Sequence, residues 1–292
     1  MSRGFRPNHG SGPQRERARF RPAGTPGRGA ALGHAAKPPL EVFTTTLWEY
    51  ASQHYSVPGS PVQGSAKYAG ATPSWVIWQV LQRYTKPGDT VLDPMCGSGT
   101  TLDVCRDLGR TGLGCDLAPA REDIRQADAR SVPLADAAAD FVFIDPPYST
   151  HIEYSDDPRC IGRLDSGGSD GGRAYFQAME QVIGEAHRVL RPDRFMALYV
   201  SDSFVKGKPG ARPSGTFVPI GFELFALLRS RFTPVDIVAV VRGNEKLARG
   251  NWHKAAQEGN FFLRGFNYLF IMHKGLGTGR AHRPATEHKG RR

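Results

Sequence analysis

Three acids stand where the backbone gives a carboxylate something to do. Asp93 ends the apolar run Thr90-Val91-Leu92 and opens Asp93-Pro94-Met95-Cys96-Gly97-Ser98-Gly99-Thr100-Thr101. The two glycines let the chain pass close to a ligand, and the helix predicted to follow aims its positive end at an anionic group. The loop lacks the lysine of a phosphate-binding P-loop, which argues against ATP chemistry. Asp116 lies 23 residues further on, at the end of the next predicted strand. An acid there can accept hydrogen bonds from both hydroxyls of a ribose; the alternative is a helix N-cap ahead of Leu117-Ala118-Pro119. Asp145 ends the strand Asp140–Ile144 and begins Asp145-Pro146-Pro147-Tyr148. Consecutive prolines fix the backbone, so a carboxylate and a carbonyl held together can accept the two protons of a planar amino group. Tyr148 offers a flat face to an aromatic base.

The order DPMCGSGTT, strand-terminal acid, DPPY, then a helix leading to RVLRPDRFMALYV resembles the S-adenosylmethionine-dependent amino-methyltransferases of nucleic acids. More narrowly it is similar to the DNA methylases of adenine N6 and cytosine N4, over about residues 73–274. The resemblance implies an α/β class I methyltransferase fold, Rossmann-like, with a seven-stranded mostly parallel sheet and helices on both faces. It also implies S-adenosylmethionine as cofactor and no metal. The family's cofactor loop falls on Asp93, Pro94, Gly97, Ser98, Gly99 and Thr100, and its ribose-binding acid on Asp116. The acid that contacts the cofactor adenine falls on Asp128, where a solvated turn residue is the alternative. The catalytic tetrapeptide falls on Asp145, Pro146, Pro147 and Tyr148. Cys96 is read as packing, because amino methylation needs no nucleophilic thiol.

DPPY rather than SPPY leans towards adenine N6 over cytosine N4. An RNA amino-methyltransferase, acting on guanine N2 or adenine N6 of tRNA or rRNA, is the competing enzyme reading. A protein-glutamine methylase would favour Asn at position 145. A catalytically silent nucleic-acid-binding module would show decay in GSGTT or DPPY, and neither has decayed. A duplex substrate requires the base to be flipped out of its stack.

Stepping outward from the acids, Pro73-Ser74 starts an apolar-periodic helix that stops before Pro87-Gly88, after an aromatic lead-in over 41–70. Strands are predicted at 90–93, 112–116, 124–128, 140–144, 195–200, 235–241 and 266–273. Further helices are predicted at about 100–108, 174–190 and 220–231. Two long loops, 149–172 and 244–264, are expected to flank the site. The first carries His151, Tyr154, Arg159 and Arg163; the second carries Lys246, Arg249, Trp252, His253, Lys254 and Arg264. Basic residues interleaved with aromatics suit a nucleic-acid groove.

Of the formal net charge of +10, residues 1–38 hold +7 and 274–292 hold +5, leaving −2 for the rest. The two ends, 1–38 and 275–292, are expected to be disordered basic tails around one methyltransferase domain over 39–274. Such tails attract phosphate backbones without reading sequence, so DNA, or RNA in its place, is the expected partner. No large target-recognition domain is visible, which leaves room for a specificity partner or a homodimer. No apolar run approaches the ~20 residues of a membrane span, and the four cysteines form no C-x-x-C pair. A cytoplasmic protein with reduced thiols is expected.

Overall fold

The computed structural model describes residues 39–65, 67–206, 215–241 and 250–276. At its centre is β5 (Ala139–Ile144), buried along its whole length. Alternation sends Val142 and Ile144 to one face and Phe141 and Phe143 to the other. A strand apolar on both faces needs cover on both, and helices supply it. On one face lie α1 (Ser74–Tyr84) and α2 (Thr100–Asp107); on the other lie α3 (Arg173–Val189) and α4 (Ile220–Arg229). In α3 the buried residues Tyr175, Ala178, Met179, Val182, Ile183, Ala186 and Val189 recur at three- and four-residue steps, giving one stripe against the sheet.

Parallel to β5 run β2 (Thr90–Asp93) on one flank and β6 (Leu190–Val200) on the other. Beyond β2 come β3 (Thr111–Asp116) and β4 (Ile124–Gln126). On the far side β10 (Phe266–Lys274) inserts antiparallel between β6 and β9 (Thr233–Val241). A two-residue strand, β1 (Leu47–Trp48), pairs parallel to β9, so the order is β1-β9-β10-β6-β5-β2-β3-β4. Without β1 this is a seven-stranded, mostly parallel sheet with helices on both faces, as the resemblance implies. The chain winds outward from β2 to β4, then returns to start again at β5. The carboxyl ends of β2 and β5 therefore flank the crevice where such sheets bind ligands.

Several elements differ from the sequence reading. β6 begins at Leu190, because Arg191 and Arg194 reach the buried Asp140 at 2.5 and 3.3 Å and draw the Arg-Pro-Asp turn into the strand. β4 stops two residues short of Asp128. The stretch 244–264, expected as a loop, contains α5 (Gly250–Glu258), which buries none of its residues and so left little apolar signal. A separate hairpin pairs β7 (Ser203–Lys206) with β8 (Gly215–Val218). The stretch 149–172 has one 3-10 turn, Ile161–Arg163. The proposed tails over 1–38 and 277–292 lie outside the described residues. Among the described residues no helix is long and apolar enough to cross a membrane.

Phe143 is fully buried between β5 and the α1–α2 face. Phe143→Ala is expected to lower unfolding free energy by about 3–5 kcal/mol, read from urea denaturation. A loss below ~1 kcal/mol would mean this layer is not tightly packed.

Candidate active site

The first acid organises the loop that follows it. Asp93 is 4% exposed; its Oδ1 accepts the Met95 N–H at 3.0 Å and its Oδ2 accepts the Thr101 hydroxyl at 2.5 Å. One side chain thus holds both the start of the loop and the first turn of α2. Burial pushes the Asp93 carboxyl up to about 7, with the Thr101 and Met95 bonds opposing and the charges of Asp145 and Asp116 adding. Within the loop Gly97 has φ +51°, and a Cβ there would meet the Tyr68 ring at 3.0 Å. Gly99, at φ +82°, leaves room for the guanidinium of Arg121, which pairs with Asp103 at 2.8 Å. Cys96 packs with Leu102 and Ile124, as its packing role requires.

Asp116 ends β3 in reach of this loop. Its Oδ2 accepts the Gly97 N–H and its Oδ1 the Ala118 N–H, each at 2.9 Å. It therefore caps the following turn and steadies the loop at once. Each oxygen keeps a second lone pair, which matches the two hydroxyls of a ribose. Asp128 is placed differently. Its Oδ1 accepts both the backbone N–H and Nε of Arg130, and its Oδ2 accepts the same guanidinium at 2.6 Å. Arg130 holds the Asp128 carboxyl below the usual range against the opposing effect of burial. Oδ1 is saturated, so Asp128 has Oδ2 to offer an adenine amino group.

Asp145 lies just past β5. Its Oδ1 accepts the Tyr148 hydroxyl at 2.7 Å and its Oδ2 accepts the Thr72 hydroxyl at 2.5 Å. The Pro147 carbonyl accepts the Tyr175 hydroxyl at 2.8 Å, which fixes the tetrapeptide from the α3 side. A cavity of about 1010 Å³ joins the parts. Asp93, Pro94, Gly97, Ser98, Thr100, Asp116 and Asp128 line it, together with Asp145, Pro147 and Tyr148. Of the residues singled out from sequence, Gly99 and Pro146 do not line it: Gly99 faces Arg121, and Pro146 is buried.

Sequence reasoning missed the strap formed by residues 63–65 and 67–72. The Gly64 N–H donates to Asp103 at 2.8 Å and Gln63 donates to Asp107 at 2.8 Å, tying the strap to α2. Tyr68 and Thr72 then line the cavity from above the loop. The available signal was Tyr68-Ala69-Gly70-Ala71-Thr72-Pro73, an aromatic and a hydroxyl set in small residues beside a helix start. Of the basic and aromatic loop residues, His151, Tyr154, Arg159, Trp252 and Arg264 line the cavity, as do Phe204 and Phe261, stacked with ring centroids 4.9 Å apart. Arg163, His253 and Lys254 are not part of its lining, and Lys246 and Arg249 lie outside the described residues.

Six carboxylates line this cavity, those of Asp93, Asp116, Asp128, Asp145, Asp202 and Glu258, and Asp128 is paired with Arg130. Such a lining suits a nucleoside that carries positive charge, and the paired acceptors of Asp116 suit its ribose. The residues present fit S-adenosylmethionine.

Residues 13–127 match the model of the DNA methylase family. Over that stretch the chain is similar to the family. M.MjaII, a type II methyltransferase of Methanocaldococcus jannaschii, is 36% identical over 58 residues, covering 20% of this chain and 11% of that one. M1.MboII, a type II methyltransferase of Moraxella bovis, is 31% identical over 71 residues, covering 24% and 27%. The matched part of the chain thus spans between about a tenth and about a quarter of these curated relatives. Among solved structures, TrmN from Thermus thermophilus aligns with a TM-score of 0.44 at 20% identity, over 70% of this chain and 50% of that one. The family match ends before Asp145, so it does not reach the Asp145–Tyr148 corner.

The Asp93 carboxyl also predicts a pH effect. Its folded-state value lies above the ~3.9 of an unfolded Asp, so the folded state holds the extra proton between the two. Its contribution to stability is full below about 4 and falls as pH rises towards 7, by up to ~1.4 kcal/mol per pH unit. Asp93→Asn is expected to flatten that part of the profile, read as the wild-type minus variant unfolding free energy from pH 4 to 7.5. An unchanged difference across that range would place the proton elsewhere.

Proposed function

We propose that this protein transfers a methyl group from S-adenosylmethionine to an exocyclic amino group of a base in DNA, with adenine N6 the preferred target. The observation that carries the reading is that Asp116, Asp145, Pro147 and Tyr148 line one cavity. Its volume is at the upper end of the ~300–1,000 Å³ of ordinary ligand pockets, which suits a cofactor and a flipped base together.

Bound S-adenosylmethionine supplies an electrophilic methyl group. The chain's own residues do the rest. Asp116 holds the ribose hydroxyls, Asp128 offers Oδ2 to the adenine, and the carboxylate lining offsets positive charge. Asp145 accepts one N–H bond of the target amine; the Pro146 carbonyl, in a residue that does not itself line the cavity, is the second acceptor the resemblance implies. That localises on nitrogen a lone pair otherwise delocalised into the ring, and fixes its direction. Asp145 takes up the proton load of the methylated nitrogen without having to act as a strong base beforehand. Tyr148 gives the base a stacking face; its hydroxyl sits on Asp145, so an arriving amine competes with that bond. His151, Arg159 and Arg264, with Trp252 and the Phe204–Phe261 pair, form a basic and aromatic rim for the displaced strand. The four cysteines are free thiols, which fits work on DNA in the cytoplasm.

The test is incubation with labelled methyl donor and separate DNA and RNA pools, followed by nucleoside mass spectrometry. N6-methyladenine in DNA is expected. N4-methylcytosine would correct the base, and label confined to RNA would overturn the substrate.

Two substitutions separate the roles. Asp116→Ala is expected to weaken donor binding by about 1.5–3 kcal/mol for each bond lost, measured by calorimetry. Asp145→Ala is expected to keep donor affinity while turnover falls at least ~100-fold. Normal methylation by the second variant would remove Asp145 from the chemistry.

A further inference from the structure

Thr72 is separated from Asp145 by 73 positions in sequence, yet its hydroxyl donates to the Asp145 Oδ2. The geometry points to Thr72 as a positioning residue that holds the Asp145 side chain in one rotamer and so aims its carboxylate at the target amine. The kinetic part of this inference rests on the function proposed above; the positional part does not.

The donor is built in rather than incidental. Thr72 is 8% exposed and precedes Pro73, which restricts it to extended backbone. Gln53 clamps both of its flanks: the side-chain amide donates to the Ala71 carbonyl at 2.8 Å, and the Gln53 carbonyl accepts the Ser74 N–H at 3.1 Å. Just upstream, Gly70 has φ +80°, and a Cβ there would lie 2.9 Å from both Ile152 and the Tyr154 hydroxyl. The strap is thus pressed between the helix start and the 149–163 segment, with little freedom to slide.

Thr72 and Tyr148 donate to Asp145 in different ways. Tyr148 belongs to the same tetrapeptide, so its bond to Oδ1 closes a local ring of four residues. Thr72 reaches Oδ2 from another part of the fold and ties the carboxylate to the strap. A carboxylate held at one oxygen by a fixed outside donor cannot rotate freely about its own bonds. Oδ1 is then presented in a constant direction when the amine displaces the tyrosine hydroxyl. A residue acting this way changes how often the acceptor is correctly aimed, so its loss lowers turnover more than binding.

The experiment compares Thr72→Val, which removes the hydroxyl at nearly constant shape, with Thr72→Ser, which restores it. In the full-length protein, three-bond NMR couplings at the Asp145 β-carbon report its χ1 rotamer. One rotamer is expected in wild type and Thr72→Ser, and averaging in Thr72→Val. In methyl transfer to DNA, Thr72→Val is expected to lose roughly ten- to hundredfold in kcat. The KM for donor should stay within about twofold, and Thr72→Ser should recover most of the rate. An unaveraged Asp145 rotamer in Thr72→Val overturns the inference, as does a loss confined to donor affinity. Wild-type protein that methylates neither DNA nor RNA would sink the proposed function instead, and the rotamer comparison would still decide the role of Thr72.

Discussion

The carboxylate of Asp93 is the point on which the site is hung. Taking an acid out of water is costly unless its oxygens are bonded, and here one oxygen is spent on the Met95 amide and the other on the Thr101 hydroxyl. Those bonds fix both ends of a loop of small residues that has little packing of its own. With its ends fixed, the loop brings the Gly97 amide onto Asp116, and the second acid is set by the first. Arg121 completes the arrangement from outside by occupying the space a Gly99 side chain would take.

The distribution of charge sets a further constraint. The chain carries +10 overall, but its excess lies near the two ends, and the cavity is lined by acids. A lining of that sign admits a cationic cofactor and a neutral base while disfavouring a phosphate. On the proposed reading, only the base can enter fully, and the sugar-phosphate chain has to remain on the rim near Arg159 and Arg264. Extrusion of the base is then required by electrostatics as well as by shape.

How much of this was legible in sequence depended on whether the signal was local. Asp93, Asp116 and Asp145 could be placed because each ends an apolar strand, and a strand end with its loop is a short-range pattern. The sheet followed from the same strands together with the periodicity of α3. The strap was not legible. Its bonds span 39 positions from Gly64 to Asp103 and 73 from Thr72 to Asp145, across a stretch of Gly, Ser and Pro with no period. α5 escaped notice because none of its residues is buried, and β7–β8 because four-residue strands carry little alternation. Asp128 lines the cavity, but its engagement by Arg130, two residues away, takes up Oδ1 and part of Oδ2, which no local pattern in the sequence announced.

The small strand β1 gives the fold a late closing step. Trp48 is buried among Val238 and Val240, and its pairing with β9 joins Leu47 to Ala239 and Trp48 to Val240. That closure spans most of the chain, and contacts of such sequence separation form slowly. A nascent polypeptide emerging from the ribosome presents all three strand-terminal acids well before β9 exists. The lead-in carrying Gln53 and the strap therefore loses its anchorage to the sheet edge in any product truncated before residue 233. Such a fragment would display every recognisable signature of a methylase while lacking the edge that seats its own beginning.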